Sequence, residues 1–232
     1  MIYVIVVCVA VIIASYSILP TLLAKRFRKR YAPYFNEKKT LYLTFDDGPS
    51  KEYTQRLLEV LRKYNIHATF FVVAQFAESC PEIIDQMKQD GHLIGIHSYG
   101  HQNALFRGGR FMYSDFATSI FTLEKLGCNV QYYRPPWGHL NVFTLYWLKR
   151  LGLTLVLWDV MAQDWEKGAT VETITRKILT RVKPGSVICL HDGRGAPGAP
   201  GRTIEALQVA LPMLVSQGYT FQRLDESDGA KV

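Results

Sequence analysis

Two short segments carry the residue types that handle a divalent metal: Thr44-Phe45-Asp46-Asp47-Gly48-Pro49 and His97-Ser98-Tyr99-Gly100-His101. Each follows an apolar run of strand character. Together they offer one carboxylate and two imidazoles as ligands, with a second carboxylate to spare. That set suits the activation of water at a metal. Three more polar clusters lie further on: Arg134-Pro135-Pro136-Trp137, Asp159 with Asp164-Trp165, and His191-Asp192. Each has an ordinary reading by itself. Asp, Gly and Pro favour turns, Arg-Pro-Pro makes a rigid loop, and His-Asp can cap a helix. What sets these clusters apart is their placement, because every one falls directly after an expected strand.

The elements that must position them alternate regularly. Residues 41–45, 68–73, 93–96, 130–133, 153–158, 187–190 and 219–224 read as strands, from apolar runs rich in β-branched and aromatic residues. Residues 51–64, 81–90, 112–126, 142–151, 171–182 and 202–217 read as helices, several closed by Gly91, Gly127, Gly152 or Gly218 at a left-handed C-cap. Alternation of this kind implies parallel strands joined by helical crossovers, as an open doubly wound sheet or a closed barrel. Either arrangement gathers the strand ends, and with them the polar clusters, on one face. GxxxxGK[ST] does not occur in the sequence, which removes the usual P-loop.

Composition narrows the function class. The 232 residues carry a net charge of +7, with 48% hydrophobic and 20% charged residues. Five of the basic residues fall in one run, Lys25, Arg26, Arg28, Lys29 and Arg30, and the remainder is near neutral. Nucleic-acid binding is therefore set aside, since no other basic face is evident. Cys80, Cys128 and Cys189 are scattered without ribbon spacing and read as free, buried thiols. Residues 2–24 are uncharged and apolar, and as a helix would cover roughly 35 Å. They lack the basic start and cleavage site of a signal peptide, so residues 1–24 read as a retained membrane anchor. A basic juxtamembrane linker at 25–39, a catalytic domain at 40–226 and a polar tail at 227–232 complete the division. The basic flank favours a cytoplasmic catalytic domain by charge asymmetry, and suits anionic headgroups.

Taken in order, the clusters resemble the motifs of the polysaccharide deacetylase family, the NodB-homology domain of carbohydrate esterase family 4, over about residues 41–224. Thr44 to Gly48 resembles the first motif and His97 to His101 the second. Arg134-Pro135-Pro136-Trp137 resembles the third, with Trp where Tyr is common, and Leu190-His191-Asp192 the fifth. The resemblance implies a distorted (β/α) barrel of about seven strands and metal-dependent hydrolysis of N-acetyl groups on an N-acetylated sugar. Alternatives within it are a deacylase of a polyprenyl- or lipid-linked sugar at the cytoplasmic membrane face, and an O-acetyl esterase on a polysaccharide such as xylan. A binding protein that keeps the fold without catalysis is disfavoured by the intact motif residues. Family habit places the catalytic domain outside the cytoplasm, against the reading of the basic flank.

By the same resemblance, Asp47, His97 and His101 hold a divalent metal, Zn²⁺ or alternatively Co²⁺, Ni²⁺ or Mn²⁺. Asp46 is the general base, oriented by Arg134, and His191 the general acid. The backbone N–H of Trp137 helps to bind the oxyanion, while Pro135, Trp165 and Leu190 shape the substrate pocket. One motif departs from the family pattern. The fourth commonly reads Asp-x-x-Asp-Trp, and here Met161 stands at the first acid, the usual partner of the catalytic histidine. Losing that charge is expected to lower the pKa of His191 unless Asp159 or Asp164 takes its place.

Overall fold

The computed structural model describes residues 2–28 and 39–226. Residues 29–38 of the basic linker and the tail at 227–232 lie outside the described residues. The chain opens with a helical rod: α1 (Ile2–Ile13), a π-helical turn (Ala14–Ile18) and α2 (Leu19–Arg28). From Ile2 to Phe27 this rod is long and apolar enough to cross a bilayer.

The domain that follows is an α/β half-barrel. Its strands are β1 (Thr40–Asp46), β2 (Thr69–Val72), β3 (Leu93–Ile96), β4 (Tyr132–Tyr133), β5 (Thr154–Leu155), β6 (Val160–Met161) and β7 (Val187–His191). They lie in the order β5-β4-β3-β2-β1-β7-β6, and every pairing is parallel. A short β8 (Thr220–Phe221) pairs with the start of β1. The crossovers are α3 (Thr54–Lys63), α4 (Ala74–Ser79), α5 (Pro81–Gln89), α6 (Gly109–Lys125), α7 (Val142–Leu151), α8 (Val171–Arg181) and α9 (Ala199–Ser216). Capping boxes at Asn141 and Thr170 start α7 and α8, and Gly152, at φ 66°, closes α7 in the left-handed conformation that glycine adopts without strain.

Strand alternation builds two cores. Leu41, Leu43 and Phe45 of β1 face outward into the large core beneath the helices, with Phe70, Leu57, Ile204 and Leu207. Tyr42, Phe71, Tyr132, Val156, Val187 and Leu224 form a smaller apolar floor inside the barrel. Thr44 and Asp46 continue that inner face upward and leave the floor for the polar end.

Two elements differ from the sequence expectations. The run at 153–158 pairs only at Thr154–Leu155, and the chain joins the sheet again as β6 at the other edge. Among the described residues no pairing joins β5 to β6, so the barrel stays open there. A buried cation accounts for the break. Arg134 Nε donates to Val156 O and Nη2 to Leu157 O, both at 3.4 Å, so these carbonyls serve the guanidinium instead of a neighbouring strand. The second difference is α4, a short helix without a counterpart among the expected elements.

Candidate metal and catalytic centre

Asp46 and Asp47 are adjacent in sequence yet part company at the end of β1. Asp46 keeps the extended strand and points into the barrel mouth. Asp47 turns to φ 75°, which redirects its carboxylate towards the second segment. Ser98, His101, Trp137 and Gln163 also have positive φ without being glycine, as does Asn65 after α3, away from these segments. Such conformations cost about 1–3 kcal/mol each and persist where the surroundings fix them. Here they concentrate in the loops at one end of the barrel.

Asp47, His97 and His101 converge. Asp47 Oδ1 lies 2.9 Å from His101 Nε2 and 3.3 Å from His97 Nε2. The three ligand atoms all lie within 4.8 Å of one another. His97 Nδ1 is 2.8 Å from Arg134 O. A carbonyl only accepts, so Nδ1 carries the proton and Nε2 of the neutral ring turns its lone pair towards Asp47. Asp47 Oδ1 is itself buried without a hydrogen-bond donor among the described residues. An acceptor oxygen facing acceptor nitrogens is a poor arrangement for a folded protein and a good one around a cation. Burial favours the neutral form of Asp47, but the His101 and His97 rings, when they carry the protons that a bound cation would replace, outweigh it and hold its pKa far below the usual carboxylate range. The donor set therefore fits a divalent metal held by one carboxylate and two imidazoles.

Supports for these ligands come from distant positions. Val73 N donates to Gly48 O, and Ala74 N and Gln75 N, at the start of α4, to Ser98 O and Tyr99 O. The first turn of α4 thus clasps both metal segments. Asp115 of α6 accepts from Ser98 Oγ at 2.9 Å and from Tyr99 N at 3.0 Å, while Ser98 Oγ accepts from Gln102 N. Asp192 is buried behind Gly48. Its Oδ2 accepts from Thr54 Oγ1 at 2.6 Å, and its backbone N–H donates to Asp46 O. Burial raises the Asp192 pKa to about 7. A Cβ on Gly48 would sit 2.3 Å from Asp192 Oδ2, so glycine is required at that position.

Asp46 faces two partners. Oδ1 accepts from Arg134 Nη1 at 2.8 Å, and Oδ2 from the Cys189 thiol at 3.3 Å. Arg134 is 0% exposed. Its Nη1 also donates to Thr44 Oγ1 at 2.6 Å, and its guanidinium lies 4.2 Å from the Phe71 ring centroid. Burial, with the nearby Asp46 charge, raises the Cys189 pKa well above its ordinary value. Asp46, Cys189 and His191 also cluster within 4.8 Å. A neutral thiol and a carboxylate already paired with Arg134 make that second group a weak cation site.

His191 is not left without an acid by Met161. Its Nδ1 lies 2.9 Å from Asp164 Oδ1, and its backbone N–H donates to Asp164 Oδ2 at 2.8 Å. Thr203 Oγ1 also donates to Asp164 Oδ2. Burial disfavours the His191 cation, but Asp164, followed by Asp46 and Asp47, more than offsets this and raises the pKa to about 9. The expected fall is therefore corrected: Asp164 supplies the charge that Met161 lacks. Asp159 does not take that place. It is exposed, and its Oδ2 accepts from Val187 N at 2.9 Å.

The remaining expected residues divide. The Trp165 ring packs edge-on against His191 with centroids 4.9 Å apart, and Trp137 against His101 at 4.3 Å. Trp137 is half exposed, on a 3₁₀ turn following buried Pro135. Leu190 is corrected. It lies in the outer core, because alternation along β7 puts Cys189 and His191 on the inner face and Leu190 on the other. Sequence reasoning alone does not assign Cys189, Asp115 or the start of α4 to the site, and it offers Asp192 only as the neighbour of His191. For Cys189 the signal was available, two residues before His191 on the same strand.

Comparison with known proteins identifies the family. The sequence profile described as Polysaccharide deacetylase matches residues 35–156. This chain belongs to the polysaccharide deacetylase family. Among relatives in that family, a chitooligosaccharide deacetylase of Azorhizobium caulinodans is 34% identical over 196 residues, covering 80% of this chain and 92% of the relative. A peptidoglycan-N-acetylglucosamine deacetylase of Bacillus cereus is 33% identical over 204 residues, covering 84% of this chain and 72% of the relative. A solved peptidoglycan N-acetylglucosamine deacetylase, in complex with an N-oxidanyl benzamide, superposes with a TM-score of 0.79 at 32% identity. It covers 87% of this chain and 94% of the solved chain.

Proposed function

We propose that this chain removes N-acetyl groups from an N-acetylated glycan by metal-dependent amide hydrolysis, releasing acetate and a free amine. The observation that carries the reading is the Asp47–His97–His101 cluster set beside a second carboxylate and a carboxylate-bound imidazole. Asp47, His97 and His101 would hold the ion, and one carboxylate with two imidazoles suits Zn²⁺. When bound, that ion supplies Lewis-acid polarisation of water and of the amide oxygen.

The chain's own residues handle the protons. Asp46 receives a proton from the attacking water, held in orientation by Arg134. Attack at the amide carbon breaks the C–N bond, and the leaving nitrogen takes a proton from His191 Nε2. Asp164 keeps His191 cationic at neutral pH and fixes its ring through Nδ1. Asp46 and His191 stand within 4.8 Å of each other, so base and acid can serve one scissile bond. Trp137 and Trp165 flank the cleft, and the Trp137 N–H is assigned to the developing oxyanion.

Residues 1–24 are assigned as a single-pass membrane anchor and 40–226 as the catalytic domain. Acetate release from chitooligosaccharide, peptidoglycan and acetylated xylan, with and without chelator, tests the reaction class. Metal-dependent release with a new free amine on the first two supports it. Release from xylan alone would overturn the amide reading in favour of an ester.

A further inference from the structure

The N-terminal rod does not project freely from the domain. Thr21 Oγ1 donates to Leu140 O at 3.1 Å, and Leu140 N donates back to Thr21 Oγ1 at 2.9 Å. The Tyr16 hydroxyl donates to Arg107 O, and the Tyr16 and Phe143 rings meet edge-on at 6.0 Å. Ser17 and Thr21 are buried at this contact, which coincides with the π-helical turn. Such turns often mark functional positions in a helix.

The docked half belongs to the same helical run, Ile2–Phe27, that is long and apolar enough to cross a bilayer. The docked half keeps an apolar outer side, with Ile18, Leu19, Leu22 and Leu23 all exposed.

The domain beside it is also apolar. Phe106 is 75% exposed and Tyr146 52%, and Val142, Phe143 and Leu145 are exposed with them. Tyr113 and Tyr146 stack around Trp147, giving an aromatic group of the kind found at membrane interfaces. Exposed Arg107, Arg110, Lys149 and Arg150 lie on the same elements, and exposed Lys25 and Arg26 on the rod. A cationic fringe around an apolar patch complements anionic headgroups. At the contact itself the backbone groups of Leu140 are satisfied by Thr21, as burial away from water demands.

We propose that this face of the catalytic domain rests in the lipid bilayer, continuous with the outer side of the docked helix, and that it holds the catalytic cleft at the membrane surface. The loop that carries His101 reaches the helix contact at Arg107, six residues on and so within about 21 Å. Trp137 precedes Leu140 by three residues. The substrate is thereby one presented at the bilayer surface. The resting of this face in the bilayer depends on the membrane-anchor assignment alone, and the statement about substrate rests in addition on the proposed function.

The test uses the full chain with Cys8→Ser, reconstituted in phosphatidylcholine–phosphatidylglycerol vesicles. Nitroxides are placed singly at Ile5→Cys, Phe106→Cys, Tyr146→Cys and Glu205→Cys, the last on α9 at the other end of the sheet. Accessibility to oxygen is compared with accessibility to a water-soluble nickel chelate. The expected result is an oxygen-to-nickel ratio several-fold higher at 5, 106 and 146 than at 205. A high ratio at 5 alone overturns the inference and leaves the anchor standing. A low ratio at 5 overturns the anchor as well. Shielding of 106 and 146 from both reagents, with dipolar broadening between labels, would mean that a second copy covers this face, and would also overturn it.

Discussion

Replacing Asp164 by Asn keeps the shape beside His191 and removes the charge. Burial alone disfavours the imidazolium. The raised pKa of His191, from 6.5 to about 9, is the net result after Asp164, Asp46 and Asp47 outweigh burial. That rise corresponds to about 3.4 kcal/mol in favour of the cation, at roughly 1.36 kcal/mol per tenfold change in proton affinity. Asp164 is the leading favourable contributor, at 2.9 Å from Nδ1. A bound metal offsets the Asp47 contribution in parent and variant alike, so the difference between them is that of Asp164. Removing it should bring His191 to about 7 or below. At pH 8 the protonated fraction then drops from about nine-tenths to about one-tenth, and kcat/KM should fall about tenfold. At pH 6 the ring stays largely protonated in both proteins, and kcat/KM should stay within about twofold. The assay is kcat/KM for acetate release across pH, beside an NMR titration of the His191 ring. The same pair also contributes to stability. With the folded pKa above the unfolded one, its contribution is complete below about 6.5 and is lost as pH rises through about 9. A basic limb that stays near pH 9 in Asp164→Asn would refute the reasoning.

Gly48→Ala forces a methyl group into the buried Asp192 carboxylate. It should cost about 1–3 kcal/mol in denaturant titration. The cost should shrink in Gly48→Ala/Asp192→Ala, because removing the carboxylate makes room. Asp115→Ala removes the acceptor that orders Ser98 and Tyr99 between the two histidines. Metal affinity measured by competition with a chromogenic chelator should fall about 10–100-fold, while the far-ultraviolet dichroism stays that of the parent.

The candidate metal and acid–base residues were legible because each lies at or a few residues beyond a strand end, and parallel strands deliver their ends to one face. Asp47, His97 and His101 needed only that rule to meet. Leu190 lies away from the pocket because the period of a strand assigns Cys189 and His191 to one side and Leu190 to the other. The break between β5 and β6 follows from Arg134, whose demand for the carbonyls of Val156 and Leu157 leaves no trace in local apolar pattern. Asp115, Asp192 and the start of α4 act across long sequence separations through single hydrogen bonds. Such bonds have no period, so they could not be read from the chain alone. The replacement of the motif acid by Met161 looked like a loss. The charge beside His191 is nevertheless present, because Asp164 lies 2.9 Å from its Nδ1.

The most direct test is Asp46→Asn assayed for both metal binding and acetate release. The amide oxygen introduced by this substitution can still accept from Arg134, and Asp47, His97 and His101 are untouched. Metal affinity should stay close to that of the parent, and acetate release from an N-acetylated chitooligosaccharide should slow by about 10²–10⁴-fold. A variant that releases acetate at the parental rate, or a parent that stays fully active after its metal is removed, would contradict this reading.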